Sequence, residues 1–305
     1  MPGSKDSNFG LNLPSTGIPN APQVVVVRNS SRKNRPKLNL SHLRKLEGVE
    51  LQIFNVRVKL GILRYQRSGT VIRLNEDTIV KRGSPNHVRL TDALTLGFIA
   101  ENTSIPVPRV HDVFCARGEN WLVMDYIDAP LLVYAWGHLD EQERLDCMLQ
   151  LKGYIDELRA LEPPQPGKVQ AVDGQTCIDS RLASEPWGPF DTIDDFHRFC
   201  GNEYVYKNYP KYRDSFEKTA GRVYRTVFTH GDLGPHNIMW KDGKIVGIID
   251  WETAGWLPEY WESMMSYFGS LNTPNWWKMF DSLMDSYPDE LAVEQDVGAV
   301  LVRMP

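Results

Sequence analysis

His230-Gly231-Asp232-Leu233-Gly234-Pro235-His236-Asn237-Ile238-Met239, followed shortly by Val246-Gly247-Ile248-Ile249-Asp250-Trp251-Glu252, is the part of this 305-residue chain that most narrowly constrains its fold. The first stretch sets a carboxylate and an amide five residues apart, and the second ends an apolar run on another carboxylate. Lys244 to Ile249 reads as a strand, Lys241-Asp242-Gly243 as a hairpin turn and Asn237 to Trp240 as the partner strand. Such a hairpin carries Asn237 and Asp250 back toward each other. The plain alternative is a surface turn rich in Gly, Pro, Asn and His before an ordinary hairpin. That reading leaves the coincidence of His, Asp and Asn with an Ile-Ile-Asp strand unaccounted for.

Asp232 and Asn237 have the separation of the catalytic loop H-R-D-L-x-x-x-N of kinases, with Gly231 in the arginine position. Transfer of a γ-phosphoryl group asks little covalent work of a protein. It needs a carboxylate to orient and deprotonate the acceptor hydroxyl, and oxygen ligands to hold Mg²⁺ on the phosphates. Asp232 is the expected base, with His230 supporting its loop. Asn237 and Asp250 are the expected Mg²⁺ ligands, since this ion takes a few protein oxygens and completes its shell with phosphates and water.

The segment from His230 to Trp240 together with Ile249-Asp250-Trp251-Glu252 resembles the aminoglycoside phosphotransferase and choline kinase-like family, small-molecule relatives of the protein kinases. Thr103-Ser104-Ile105-Pro106-Val107-Pro108-Arg109-Val110 and Pro258-Glu259-Tyr260-Trp261-Glu262 are similar to fungal phosphotransferase-like members, and the resemblance runs from about residue 60 to the C-terminus. It implies an α+β, protein kinase-like two-lobe fold: a flexible arm over residues 1–40, a small β-rich N-lobe over 41–127 and a larger helical C-lobe over 128–305. It further implies ATP, or GTP, as donor with Mg²⁺, and a small-molecule acceptor. Lys81, ending the β-branched run Thr78-Ile79-Val80, takes the place of the strand lysine that pairs the α/β-phosphates and a helix glutamate. Asp92 falls where that glutamate would lie, one methylene shorter. Met124 is placed at the back of the adenine pocket and the backbone of Asp125 and Ile127 at the purine edge, with Met239 and Ile249 also on the nucleotide. Where a protein kinase shows G-x-G-x-x-G, the chain offers Arg64-Tyr65-Gln66-Arg67-Ser68-Gly69, with one glycine.

Around this site the pattern is that of an ordinary globular protein. Apolar residues make up 42% and charged residues 24%, which excludes wholesale disorder. No apolar run approaches the length needed to span a bilayer; Trp121 to Trp136 comes closest but contains Asp125 and Asp128. The start, Met1 to Asp6, lacks a charged-then-apolar signal pattern, and a cytoplasmic location is expected. Cys115, Cys147, Cys177 and Cys200 form no C-x-x-C pair and read as structural thiols. The net charge of −5 argues against a nucleic-acid partner and is compatible with a cationic acceptor. No membrane partner is expected either, although Arg28 to Lys37 is basic; it reads as part of a solvated arm. The oligomeric state stays open.

Along the chain, Val24 to Val27 is a short strand candidate, and the Leu43, Leu46, Val49 spacing predicts a short helix capped by Ser41. Residues 69–82 predict a hairpin turning at Asn75-Glu76-Asp77, His87 to Asn102 a helix, and Trp121 to Met124 a buried strand. Asp140 to Leu161 is a strongly periodic helix opened by Asp140 and Glu143 in a capping-box pattern and ended by Pro163, Pro164 and Pro166. The Gly167 to Pro189 loop is long enough to be functional, and Asp191 to Cys200 predicts another helix. The aromatics Tyr260, Trp261, Tyr267, Phe268, Trp276, Trp277 and Phe280 read as helix packing, with a cage for a quaternary ammonium as the alternative. Asp281 to Glu294 reads as a solvated acidic face.

Three functions compete. The first is an ATP-dependent small-molecule O-phosphotransferase. A protein kinase fits less well, because Asp250-Trp251-Glu252 lacks the phenylalanine and glycine of D-F-G and no A-P-E follows. A non-catalytic nucleotide-binding protein of the same fold draws support from the reduced glycine loop and Asp92.

Overall fold

The computed structural model describes residues 43–66, 69–269 and 273–301. The expected arm, the Val24 to Val27 run, the basic Arg28 to Lys37 stretch and the Ser41 cap lie outside these residues. The architecture is the expected α+β one, a small sheet-based lobe followed by a larger helical lobe.

The small lobe is built on a five-stranded sheet in the order β1-β4-β5-β3-β2. Its elements are β1 (Arg44–Lys45), α1 (Gly48–Tyr65), β2 (Val71–Arg73), β3 (Thr78–Gly83), α2 (Leu90–Asn102), β4 (Val110–Ala116) and β5 (Glu119–Asp125). The β2–β3 hairpin has the expected antiparallel register, with Val71 opposite Lys81 and Arg73 opposite Ile79. In its turn the Asn75 side chain accepts from the Asp77 N–H at 2.9 Å, the local bond that makes Asn a turn former. Ile72 and Val80, opposite each other, are fully buried, so alternation sends Lys81 to the other face. Phe54 of α1 packs edge-on against Phe114 and Trp121 at 5.0 and 5.1 Å and ties the helix to the sheet.

The helical lobe follows with α3 (Leu132–Ala135), α4 (Glu141–Arg159), α5 (Ile193–Phe199), α6 (Asn202–Asn208) and α7 (Arg213–Thr219), then β6 (Thr226–Thr229), β7 (Ile238–Lys241), β8 (Lys244–Ile248) and β9 (Gly255–Pro258), and ends with α8 (Trp261–Gly269), α9 (Trp276–Leu283) and α10 (Pro288–Leu301). Helix α4 starts as its sequence predicts. The Asp140 carboxylate accepts from the Glu143 N–H and the Glu143 carboxylate from the Asp140 N–H, both at 2.8 Å. Its inward stripe of Cys147, Met148, Leu151, Ile155 and Leu158 is buried. Strands β7 and β8 pair antiparallel through a turn in which Asp242 and Gly243 both have positive φ, 51° and 74°, as a tight two-residue hairpin demands. One apolar core runs through both lobes, joining Val88, Leu96, Ile105 and Leu122 to Leu132, Trp136, Phe228 and Ile248.

Four expectations are corrected. The short helix around Leu43 to Val49 is instead strand β1, paired parallel with β4, and the helix begins at Gly48 and runs eighteen residues. The Arg64 to Gly69 stretch is therefore the end of α1 and the entry to β2, with Arg67 and Ser68 outside the described residues; it is not a loop between two strands. Helix α2 begins at Leu90 and not His87, because Asp92 reaches back to the Arg89 N–H at 3.0 Å and makes Arg89 the cap. Within the supposedly solvated acidic face, Glu290 and Glu294 are buried, Glu290 beneath Arg222 and Tyr224. The aromatics of the last helices pack: Tyr260, Trp261, Trp276 and Phe280 are all buried.

Candidate active site

The buried strand β6 delivers His230 and Gly231 to the bottom of the site, where both are fixed from behind. The Glu262 carboxylate at the start of α8, itself buried, accepts from the His230 N–H at 2.6 Å and the Gly231 N–H at 3.3 Å. His230 Nδ1 accepts from the Asp232 N–H at 3.2 Å, which leaves Nε2 to donate to the Ile249 carbonyl at 3.0 Å. The imidazole thus ties the Asp232 loop to the end of β8, and its ring lies 4.5 Å from that of Trp251. Gly231 has φ 82°, and a Cβ there would stand 2.8 Å from the Thr253 carbonyl. Glycine replaces the arginine of the kinase loop because nothing larger fits.

Asp232 is held by the residues that follow it. Its Oδ2 accepts from the Asn237 amide at 2.9 Å and faces His236 Nε2 at 3.2 Å, while its carbonyl accepts the same Asn237 amide group at 2.9 Å. Burial pushes its pKa up, but the hydrogen bond and charge of His236, helped by His230 and Arg181, more than offset this and hold it below the usual aspartate value. The shift favours the ionised carboxylate. His236 moves the opposite way, raised chiefly by its hydrogen bond to Asp232.

The Ile249 N–H donates to the Asn237 carbonyl at 2.9 Å, so hairpin geometry brings Asn237 next to the strand that ends at Asp250. Asp250 sits at φ 62°, ψ 58°, a left-handed conformation that costs a non-glycine residue on the order of 1 kcal/mol. Its Oδ1 is 2.7 Å from Lys81 Nζ, and the Glu252 carboxylate is 2.5 Å from the same nitrogen. Burial opposes the ammonium charge, yet these two carboxylates outweigh it and raise the Lys81 pKa.

Asp92 does not pair with Lys81. Both of its nearest contacts are to Arg89, at 3.0 Å to the backbone N–H and 3.8 Å to the guanidinium, and its Oδ1 has no hydrogen-bond partner. It is buried and not the alternative solvent-facing carboxylate, so burial first of all raises its pKa, to about 6. The carboxylate that takes the lysine is Glu252. Spacing gave no hint of that exchange.

A cleft of about 630 Å³ opens beside the Lys81–Asp250 pair. Lys81, Asp92, Met124, Asp125, Ile127, Met239 and Ile249 all line it, with Leu96, Leu122 and Trp251. Asp232, His230 and Asn237 do not line this cleft; they lie next to it through the Ile249 contacts. At its rim the Asp125 N–H is donated to the Arg109 carbonyl at 3.0 Å, and the Ile127 carbonyl accepts from Ala129 at 3.0 Å. These two bonds fix the backbone of Asp125 and Ile127 at the rim.

The sequence reading missed Glu262, Thr253 and Arg181. Arg181, in the long loop before α5, forms a two-pronged pair with Asp179 and donates to the Gly231 carbonyl at 3.3 Å. Glu262 had a signal only through the Pro258 to Glu262 resemblance.

Residues 63–282 match the model of a family described as the phosphotransferase enzyme family, APH. The chain belongs to that family. The resemblance carried by His230 to Trp240 and Ile249 to Glu252 is thereby borne out. Solved structures of similar fold include the aminoglycoside phosphotransferase APH(4)-Ia, at 14% identity and a TM-score of 0.56 over 82% of this chain and 90% of that one. Another is a gentamicin complex of APH(2″)-IIa, at 14% identity and a TM-score of 0.52 over 83% and 86% of the two chains. A Haemophilus somnus 129PT protein assigned as a fructosamine-3-kinase follows, at 15% identity and a TM-score of 0.50 over 74% and 76%. At this identity the likeness shows that the phosphotransferase-family fold is shared. No curated protein sequence matches significantly.

Proposed function

We propose that this chain is an ATP-dependent small-molecule O-phosphotransferase with Asp232 as its base. The observation that carries the proposal is the pairing of an ionised, His236-buttressed Asp232 with a separate Lys81–Asp250 pair at the mouth of a nucleotide-sized cleft. Asp232 takes the proton from the acceptor hydroxyl as that oxygen attacks the γ-phosphorus and the bond from phosphorus to the β,γ-bridging oxygen breaks, releasing ADP; Asn237 holds the carboxylate in place, and His230 and Glu262 hold the loop. Lys81 neutralises phosphate charge, and the Asp125 carbonyl and Ile127 N–H meet the purine edge. Main-chain groups serve there because every residue supplies them regardless of side chain.

The donor set fits Mg²⁺. Asn237 donates its amide N–H₂ to Asp232 and has its oxygen left, and Asp250 supplies a carboxylate. Among the described residues no group of three His, Cys, Asp or Glu side chains forms a closed metal cage, as suits an ion that completes its shell with phosphates and water. Bound there, the ion would offset phosphate charge.

The acceptor is proposed to be a small hydroxyl compound, an amino-alcohol or aminoglycoside-like molecule among them, because related folds include complexes with gentamicin and with streptomycin and ATP. Mass spectrometry of purified protein with Mg-ATP or Mg-GTP and a panel of amino-alcohols, sugars and aminoglycosides tests this. A product heavier by one phosphoryl group is expected. Asp232→Asn should lower its turnover roughly 10² to 10⁴-fold with nucleotide affinity little changed. Near-normal turnover in that variant would remove Asp232 from the role.

A further inference from the structure

Helix α1 is apolar on two sides. Phe54, Val58 and Gly61 are buried against the sheet. On the opposite side Val49, Ile53, Val56, Leu60 and Leu63 are 70, 58, 55, 59 and 77% exposed. Their spacing of four, three, four and three puts them in one stripe along an eighteen-residue helix, which is about 27 Å long. A continuous aliphatic stripe of this length on a lobe surface marks an interaction site and not scattered surface residues.

Charge identifies the occupant. Arg57, Lys59 and Arg64 flank the stripe, and Arg57 and Lys59 are exposed without an ion-pair partner among the described residues. The acid on the same edge, Glu50, is paired with Arg44 at 3.2 Å, and Arg64 is paired with Glu76 at 3.0 Å. Residues 28–67 contain eleven Lys and Arg against two Glu, while the rest of the chain has twenty-three against thirty-seven acids. The basic residues are thus concentrated in and just before the helix that exposes the stripe, in a chain that is otherwise acidic.

We propose that the exposed face of α1 docks on an anionic lipid surface. The helix lies in the plane of the interface, its aliphatic stripe at the acyl boundary and Arg57, Lys59 and Arg64 at the headgroup phosphates. One short amphipathic helix binds weakly and reversibly, and the exposed Arg57 and Lys59 add an electrostatic attraction to the anionic headgroups. A second copy of the chain is a poorer occupant. Parallel pairing aligns like charges along the whole seam, and antiparallel pairing sets Arg57 against its own counterpart. A nucleic acid is poorer still, since it is gripped by polar, basic and aromatic groups and has no use for five aliphatic side chains. Among the described residues no helix is long and apolar enough to cross a membrane, so the association is peripheral. It revises the expectation that no membrane partner exists.

Flotation of the full chain with vesicles of phosphatidylcholine alone, or of phosphatidylcholine with phosphatidylserine, tests the proposal. Binding is expected only to the anionic vesicles and should weaken with added salt. Leu60→Ser should reduce it about tenfold, by removing one buried aliphatic side chain, and Arg57→Glu with Lys59→Glu should abolish it. Thermal unfolding and nucleotide binding of these variants should match the parent, because none of the three residues touches the cleft. The proposal is overturned if the parent stays in solution with anionic vesicles. It also fails if binding appears only after removal of residues 1–40, which would make those residues the occupant. A dimer of the parent that Leu60→Ser dissociates, without vesicle binding, would assign the face to a second copy. Binding that survives Leu60→Ser and is competed by an RNA oligonucleotide would assign it to nucleic acid.

Discussion

A buried carboxyl such as Asp92 has a pH signature that can be worked out from its surroundings. Its pKa of about 6 stands above the ordinary 3.8 because burial disfavours the anion more than Arg89 restores it. Between these two values the native chain keeps a proton that the unfolded chain releases. Stability therefore falls as pH rises through that window, by at most about 3 kcal/mol. Asp92→Asn keeps an oxygen for the Arg89 N–H and never ionises. Urea unfolding at pH 4.5 and pH 7 should show the parent losing stability relative to the variant over that interval; parallel behaviour of the two would refute the assignment. Gly231 carries a second prediction. Alanine there meets the Thr253 carbonyl at 2.8 Å in a backbone conformation alanine avoids, so Gly231→Ala should cost about 1–3 kcal/mol in chemical denaturation. A stability equal to the parent's would show that the loop relaxes freely. The ends of this site were legible in sequence for a simple reason: His230, Asp232, Asn237 and Asp250 act through local spacing, which a strand and a tight turn convert directly into geometry. Glu262, Thr253 and Arg181 act on backbone groups 23 to 50 residues away in sequence, and no local pattern encodes that.

Secondary structure follows the same division. Helix α4 could be bounded to within two residues because its cap, its periodic stripe and its terminating prolines agree. Asp140→Ala removes one of the two reciprocal cap bonds and should destabilise the protein by about 1 kcal/mol, read as a shift in denaturation midpoint without a change in slope. No shift would mean that the first turn is held by tertiary contacts alone. Helix α1 was misread for the opposite reason. Apolar residues on both of its sides erase the one-sided period by which helices are recognised, so the short helix expected at Leu43 to Val49 lies too early and misses the true length. The stripe that hid the helix is the one that needs a partner.

At the scale of the whole molecule, one core passes from the sheet lobe into the helical lobe, and the largely apolar cleft lies beside it, bounded by residues of both. A ligand bridging the two sides should stabilise the native state by mass action, about 2.7 kcal/mol at a hundredfold excess over its dissociation constant. Mg-ATP is accordingly expected to raise the melting temperature of the parent, EDTA to remove most of that gain, and Asp250→Ala to show little of it. An equal rise in the variant, or one that persists in EDTA, would mean that Asp250 does not hold the metal.

The closed space at Gly231 reaches beyond stability. In protein kinases that switch by phosphorylation, new pairs between arginines and a phosphate order the activation loop. Here the catalytic-loop position of that arginine accepts no side chain at all, and the chain runs from Asp250 through one short turn and strand β9 directly to Glu262, which already anchors the catalytic loop. A phosphate-latched loop therefore has neither a clasp nor the length to form at this site. The loop is held instead by contacts of the fold itself, the Glu262 carboxylate and the Thr253 hydroxyl among them.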